Sequence, residues 1–165
     1  MNIALFASGT GSNVCNIIQH FKSNEFINVV AVLSNKTDAG ALNHAKNAGI
    51  QSLTFSKKEF TSAITVEEFL AAKKVELVVL AGFLLKVPES LIDLYPNKII
   101  NIHPALLPNF GGKGMYGMNV HKAVEEAKEK ESGITIHYIN EEYDKGDVIF
   151  QASCEVEGLV AQDIA

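Results

Sequence analysis

The chain has 165 residues, enough for one domain with a sizeable core. Its formal net charge is −5 and its 14 basic residues are all lysine, so it is a poor candidate for gripping a nucleic-acid backbone and has no guanidinium to clamp a phosphate in bidentate fashion. No segment approaches the about 20 apolar residues of a membrane span, and "MNIALFASGTGSN" lacks the basic start and long apolar run of a signal peptide. The composition points to a cytoplasmic protein, with Cys15 and Cys154 expected as buried free thiols.

Apolar runs and helical patterns alternate along the chain. Residues 2–7 read as a first strand, and Val14, Ile17, Ile18 and Phe21 stand at helical spacing after it. Residues 28–35 read as a second strand and 39–50 as a second helix, with Gly49 as its C-terminal cap. A third strand is expected over 51–55, a helix over about 60–73, a fourth strand over 75–83, a short helix over 89–95, and a fifth strand over 98–103. Beyond residue 108 the pattern changes. A glycine-rich loop, 111–117, precedes an amphipathic helix over 120–131. Two alternating strands over 133–140 and 147–157 then flank "EEYDKG" as an antiparallel pair. "GLVAQDIA" reads as the opening of a helix. The expected fold is α/β, Rossmann-like: a mostly parallel twisted sheet with helices on both faces and a C-terminal antiparallel strand pair. No repeat or linker interrupts it, so residues 1–165 form a single expected domain.

"ASGTGSNV" joins the first strand to the first helix. Gly9 and Gly11 permit a tight turn, Ser12 and Asn13 can add side-chain hydrogen bonds, and free N–H groups at the helix start suit an anion. A plain strand-to-helix turn is the simpler alternative. The match to a dinucleotide fingerprint is poor: Val14 replaces the third glycine, and Ser34-Asn35 stand where an acidic ribose ligand belongs. A monophosphate fits better than a pyrophosphate. In "NIHPALLP", strand alternation turns Asn101 and His103 to one side and Ile102 to the other, and Pro104 ends the pairing. An amide and an imidazole side by side at a strand end are either a polar strand terminus or an active site. His137 alternates with Thr135 on a later strand and is a secondary candidate. His20, His44 and His121 fall on expected helices as surface or packing residues. No set of His, Cys or carboxylates has ligand spacing, so no metal is expected.

Taken in order, "SGTGSN", "VVLAGFLLKVP", "NIHPALLP" and "GITIHYINEEYDKGDVI" resemble the phosphoribosylglycinamide formyltransferases, a family of 10-formyltetrahydrofolate-dependent enzymes of purine biosynthesis. The resemblance runs over nearly the whole chain. It implies transfer of a formyl group from 10-formyltetrahydrofolate, as cosubstrate, to the amine of glycinamide ribonucleotide. It further implies a catalytic trio of Asn101, His103 and Asp144, and a phosphate loop of Gly11, Ser12 and Asn13. By the same resemblance the folate is bordered by Leu84, Leu85, Lys86 and Val87, by Asn101, and by a closing loop of Asn140, Glu141, Glu142, Tyr143 and Asp144. The chemistry suits those residue types, because formyl transfer needs no protein nucleophile. Asn101 can donate to the oxyanion and a protonated His103 can add a second bond and a charge, while Asp144 orients His103 and relays protons. The loop 111–117 is expected to be a lid near the phosphate.

Two departures stand out. Ala63 and Ile64 occupy the place of a basic folate contact. The family's segment beyond residue 165, which carries an acidic residue for the glycinamide end, is expected to be absent from the chain. A monomer or homodimer is expected. The rival enzymes use the same formyl carrier: a hydrolase with an added N-terminal domain, or a transferase acting on methionyl-tRNA or a nucleotide sugar. A degenerate module that binds nucleotide or folate without catalysis is the rival from another class.

Overall fold

The computed structural model describes residues 1–165, which divide into two compact units, Met1–Ile99 and Ile100–Ala165. In the first unit four parallel strands, β1 (Asn2–Phe6), β2 (Asn28–Ser34), β3 (Gln51–Thr54) and β4 (Leu77–Leu80), lie in the order β3-β2-β1-β4. Near-continuous runs such as Leu5–Phe6 and Val32–Leu33 are wholly buried, as a parallel sheet covered on both faces requires. The helices α1 (Ser12–Phe21) and α2 (Gly40–Asn47) join β1 to β2 and β2 to β3. From β3 the chain returns past β1 through α3 (Lys57–Ser62) and α4 (Ile64–Ala72) to β4, reversing the direction of travel. Right-handed crossovers therefore put α1 and α2 on one face and α3 and α4 on the other. A short helix, α5 (Glu89–Leu94), leads to β5 (Ile99–His103), whose entry lies beside β4, where the Val78 N–H donates to the Lys98 carbonyl at 2.9 Å.

In the second unit β5 pairs antiparallel with β6 (Glu131–Tyr138), and β6 pairs antiparallel with β7 (Val148–Glu155). Helix α6 (Met118–Glu126) lies between β5 and β6 in sequence, and α7 (Ala161–Ile164) closes the chain. The class is the one expected, mostly parallel α/β with an antiparallel pair toward the C-terminus.

Three expectations need correction. The single helix over 60–73 is two helices, because a capping box starts α3 early and Ala63 breaks the run. The Ser56 hydroxyl accepts from the Glu59 N–H at 3.2 Å and the Glu59 carboxylate accepts from the Ser56 N–H at 2.6 Å. Ala63, fully buried at φ 56°, then turns the chain between α3 and α4. The helix over 120–131 instead starts at Met118 and ends at Glu126. Its expected last turn, though rich in helix formers, is cut short where Lys128 turns the chain at φ 54°, and Glu131 pairs instead with Glu155. Neither thiol is buried: Cys15 is half-buried on α1 and Cys154 is exposed on β7.

Four phenylalanines form the core beneath the strand ends of the first unit. Phe6 of β1 meets Phe55, Phe60 and Phe83 edge-on or tilted, and Phe55 stacks on Phe60 with centroids 4.8 Å apart. Each buried ring contributes about 1.5–3 kcal/mol of apolar burial. Phe83 thereby anchors the segment that follows β4. Gly11 seats α1 against α2: it lies at φ +78°, and an added Cβ would stand 2.6 Å from the Ala41 Cα. Gly11→Ala should therefore lower unfolding stability by about 2 kcal/mol or more, from left-handed strain and the clash together. Denaturant unfolding checks this, and an unchanged midpoint would mean that the two helices are not seated through Gly11.

Candidate active site

Asn101 and His103 leave β5 on the same side, and antiparallel register sets Asn101 opposite His137 and His103 opposite Thr135 on β6. Six residues beyond Tyr138, the loop 139–147 returns Asp144 to this end of the strands. Two constraints hold that loop. The Tyr138 N–H donates to the Asp147 carbonyl at 2.9 Å, and Gly146 passes so close that a Cβ there would lie 1.8 Å from the Tyr138 carbonyl oxygen. Asp144 itself sits at φ 55°, a left-handed conformation that a non-glycine residue adopts at a cost of about 1–2 kcal/mol.

These constraints place Asp144 among three partners. Its Oδ1 lies 3.6 Å from His103 Nδ1 and 3.6 Å from His137 Nε2, ion-pair rather than hydrogen-bond distances, and its Oδ2 accepts the Gly112 N–H at 2.8 Å. The His103 Nε2–H donates to the Phe110 carbonyl at 2.8 Å. Both His103 nitrogens thus face acceptors within the protein. The expected direct N–H bond from His103 to a substrate oxygen is not available in this arrangement; what the ring can offer is charge. His137 is wholly buried, and its Nδ1 lies 2.8 Å from the Tyr138 carbonyl. A carbonyl only accepts, so the neutral ring carries its proton on Nδ1. Nε2 is then a lone pair that accepts from Asn101 Nδ2 at 3.1 Å. That bond orients the Asn101 amide and leaves its second N–H free. The sequence offered only the alternation of His137 with Thr135; the register with β5 makes His137 the residue that holds Asn101.

Burial pushes the His103 pKa down. The Asp144 carboxylate and the Phe110 carbonyl oppose this, a proton on His137 would add to it, and the net value lies below 6.5. Burial pushes Asp144 upward, but the His137 ring when protonated, the Gly112 N–H and the His103 charge outweigh it and hold the carboxyl below its ordinary 3.8. His121, buried on α6 with no partner for Nδ1, is pushed down first by burial and then by the charge of His103. His20 is exposed and His44 half-buried.

The expected phosphate loop and the Leu84–Val87 segment lie in the first unit. Gly11 is buried at the start of α1, and Ser12 and Asn13 are exposed. No side chain caps α1, contrary to the expected capping by Ser12 and Asn13, which leaves first-turn N–H groups open to an anion. Leu84 and Lys86 point outward, Leu85 is half-buried and Val87 is buried. Ser8, which the sequence did not single out, ties three strand ends together. Its N–H donates to the Gly82 carbonyl at 3.0 Å, its hydroxyl donates to Asn35 Oδ1 at 2.6 Å, and that hydroxyl accepts the Leu84 N–H at 3.0 Å. The loops after β1, β2 and β4 are thereby joined at the point where strand order reverses, the usual ligand position in an open α/β sheet. In the second unit Asn140, Glu141, Glu142 and Tyr143 are all exposed. The turn is local: Asn140 Oδ1 accepts the Glu142 N–H at 2.9 Å, and Lys145 pairs with Glu142. No group of three or more His, Cys, Asp or Glu is disposed to hold a metal, and no helix is long and apolar enough to cross a membrane.

The formyl transferase family model matches residues 1–161. The chain is 42% identical over 161 residues to the chloroplastic phosphoribosylglycinamide formyltransferase of Arabidopsis thaliana, covering 93% of this chain and 55% of that protein. It is 34% identical over 159 residues to the phosphoribosylglycinamide formyltransferase of Haemophilus influenzae, covering 93% and 73%. The crystal structure of phosphoribosylglycinamide formyltransferase from Anaplasma phagocytophilum superposes with a TM-score of 0.91 at 32% identity, over 99% of this chain and 77% of that one. The chain spans about half the length of the plant relatives it matches, 55% and 53%.

The two depressed histidines fix how stability depends on pH. Each binds a proton more weakly in the folded than in the unfolded protein, so stability rises with pH up to about 6.5 and gains nothing further from them above it. Asp144 acts in a lower window: its contribution is full above 3.8 and vanishes as pH falls through its lower folded value. Thermal unfolding should show Tm falling from neutral pH toward about pH 5, with a shallower fall in His121→Gln. A flat Tm over that interval would mean that neither ring is held in its neutral form.

Proposed function

The chain belongs to the formyl transferase family, and from that premise we propose that it transfers the formyl group of 10-formyltetrahydrofolate to the amine of glycinamide ribonucleotide. The product is formylglycinamide ribonucleotide, made in a step of de novo purine biosynthesis by a cytoplasmic enzyme. The observation that carries the proposal is the Asp144 cluster: an amide with one free N–H, a buried imidazole and a depressed carboxylate on one strand end.

The amine attacks the formyl carbon and the carbonyl electrons move to oxygen. The tetrahedral species then expels the folate nitrogen, which takes up the proton the amine gives up. Asn101, held by His137, donates its free N–H to the oxyanion. Burial disfavours the charged form of His103, and that form becomes more favourable as negative charge develops beside it. Asp144 stabilises that imidazolium and relays the amine's proton through water to the leaving nitrogen. Gly11, Ser12 and Asn13 hold the ribonucleotide phosphate through backbone N–H groups. Leu84 to Val87 and Asn140 to Asp144 border the folate. Because the Leu84 N–H is already bonded to Ser8, the folate contact at that residue falls to its exposed side chain and its carbonyl.

A turnover assay with glycinamide ribonucleotide and 10-formyltetrahydrofolate, following release of the deformylated folate, tests the proposal. Ligand binding without turnover would favour a binding module and overturn it. Asn101→Ala should lower kcat by about 10²–10³-fold, as loss of an oxyanion donor does. His103→Ala and Asp144→Asn should each lower kcat by several orders of magnitude with smaller changes in KM, and the double variant should be hardly worse than the worse single. Additive losses would mean that the two residues act independently.

A further inference from the structure

Thr135 is a wholly buried hydroxyl on β6 with every hydrogen-bonding position filled. It donates to the Ala105 carbonyl at 2.6 Å and accepts from the Leu107 N–H at 3.0 Å and from Gln151 Nε2 at 2.9 Å. One donor and two acceptor sites are all that a hydroxyl has. Gln151, reaching across from β7, also donates to the Leu107 carbonyl at 2.9 Å. The backbone these bonds grip is the stretch that follows His103. Three residues beyond Leu107, Phe110 sits at φ 54° and presents its carbonyl to His103 Nε2, and Gly112 donates to Asp144. The segment 105–112 is therefore fixed at one end by a side chain that bonds only to this backbone and to Gln151, and at the other by the two groups assigned to the chemistry. Strand pairing alone calls for no hydroxyl at position 135, since valine has the same shape.

We propose that Thr135, assisted by Gln151, is a positioning residue for the reaction: by clamping Ala105 and Leu107 it sets the Phe110 carbonyl against His103 and the Gly112 N–H against Asp144. The proposal rests on the formyl-transfer assignment of His103 and Asp144. The clamp works through backbone, so misplacement of the segment turns the His103 ring and releases Asp144 without removing any group that binds substrate.

The test compares Thr135→Val, Thr135→Ser and Gln151→Leu in the full chain, with kcat, KM, the pH profile of kcat, and amide hydrogen exchange at Gly112. Thr135→Val keeps the shape and strands three polar partners. It should lower kcat by about 10–100-fold, the scale set by a misplacement of about 1 Å, with KM for both substrates changing less than about threefold. The pH profile should shift and Gly112 exchange should accelerate by about tenfold or more. Thr135→Ser should restore all of these to near wild type. Gln151→Leu removes only the outer bonds from an exposed strand and should show the same changes, smaller in size, should Thr135→Val not fold. A lowered Tm with unchanged kcat, pH profile and Gly112 exchange would make Thr135 a packing residue and overturn the proposal. Gly112 exchange is independent of turnover: a wild-type chain without activity would refute the functional assignment, while exchange unchanged by every variant would refute the clamp.

Discussion

A single carboxylate organises the second unit. Asp144 is half-buried, and burial alone would favour its neutral form. The Gly112 N–H on one oxygen and the rings of His103 and His137, when protonated, near the other reverse that preference. The ionised group in turn needs those partners: the loop carrying it adopts a left-handed residue at Asp144 and a close approach at Gly146 in order to deliver it. Strain at Asp144 and again at Phe110 is the kind of cost that persists where surrounding structure over-determines the backbone.

His103 sits at the balance point of that arrangement. Burial favours the neutral ring and Asp144 favours the charged one, and burial prevails. A ring whose charge is opposed by burial and favoured by Asp144 is of more use to the proposed reaction than one permanently charged. Its protonated form gains most when negative charge appears on the substrate oxygen, so the interaction strengthens in the transition state relative to the ground state. Asn101 plays the complementary part as a neutral donor already aimed by His137 and needing no proton to arrive. The division is between a fixed dipole and an inducible charge, and the Phe110 carbonyl enforces it by occupying the remaining His103 N–H.

Much of this was legible in the sequence, and the failures have physical causes. Period-2 alternation was enough to put Asn101 and His103 on one side of a strand, and alternating apolar runs gave the α/β class. The partner of Asn101 was not legible, because pairing with His137 depends on β5–β6 register, which lies 36 residues away in sequence. The Phe110 carbonyl and Gly112 N–H were hidden for a different reason: they are backbone groups, and any residue would supply them. The "SKKE" capping box that starts α3 is a signal carried by the sequence itself. The overextended α6 shows propensity yielding to a left-handed turn at Lys128. The exposure of Cys154 reflects the position of β7 at the edge of its sheet, where no further strand pairs with it in the second unit.

The central claim is that Asp144 raises the proton affinity of His103 against the opposing effect of burial. The most direct measurement is the ring titration of His103 by NMR in the wild type and in Asp144→Asn. The account predicts a wild-type value below 6.5 and a still lower one in the variant, since the variant removes the raising charge and leaves burial in place. A His103 pKa that is unchanged or higher in Asp144→Asn would show that the carboxylate does not govern the imidazole, and the account would be contradicted at its root.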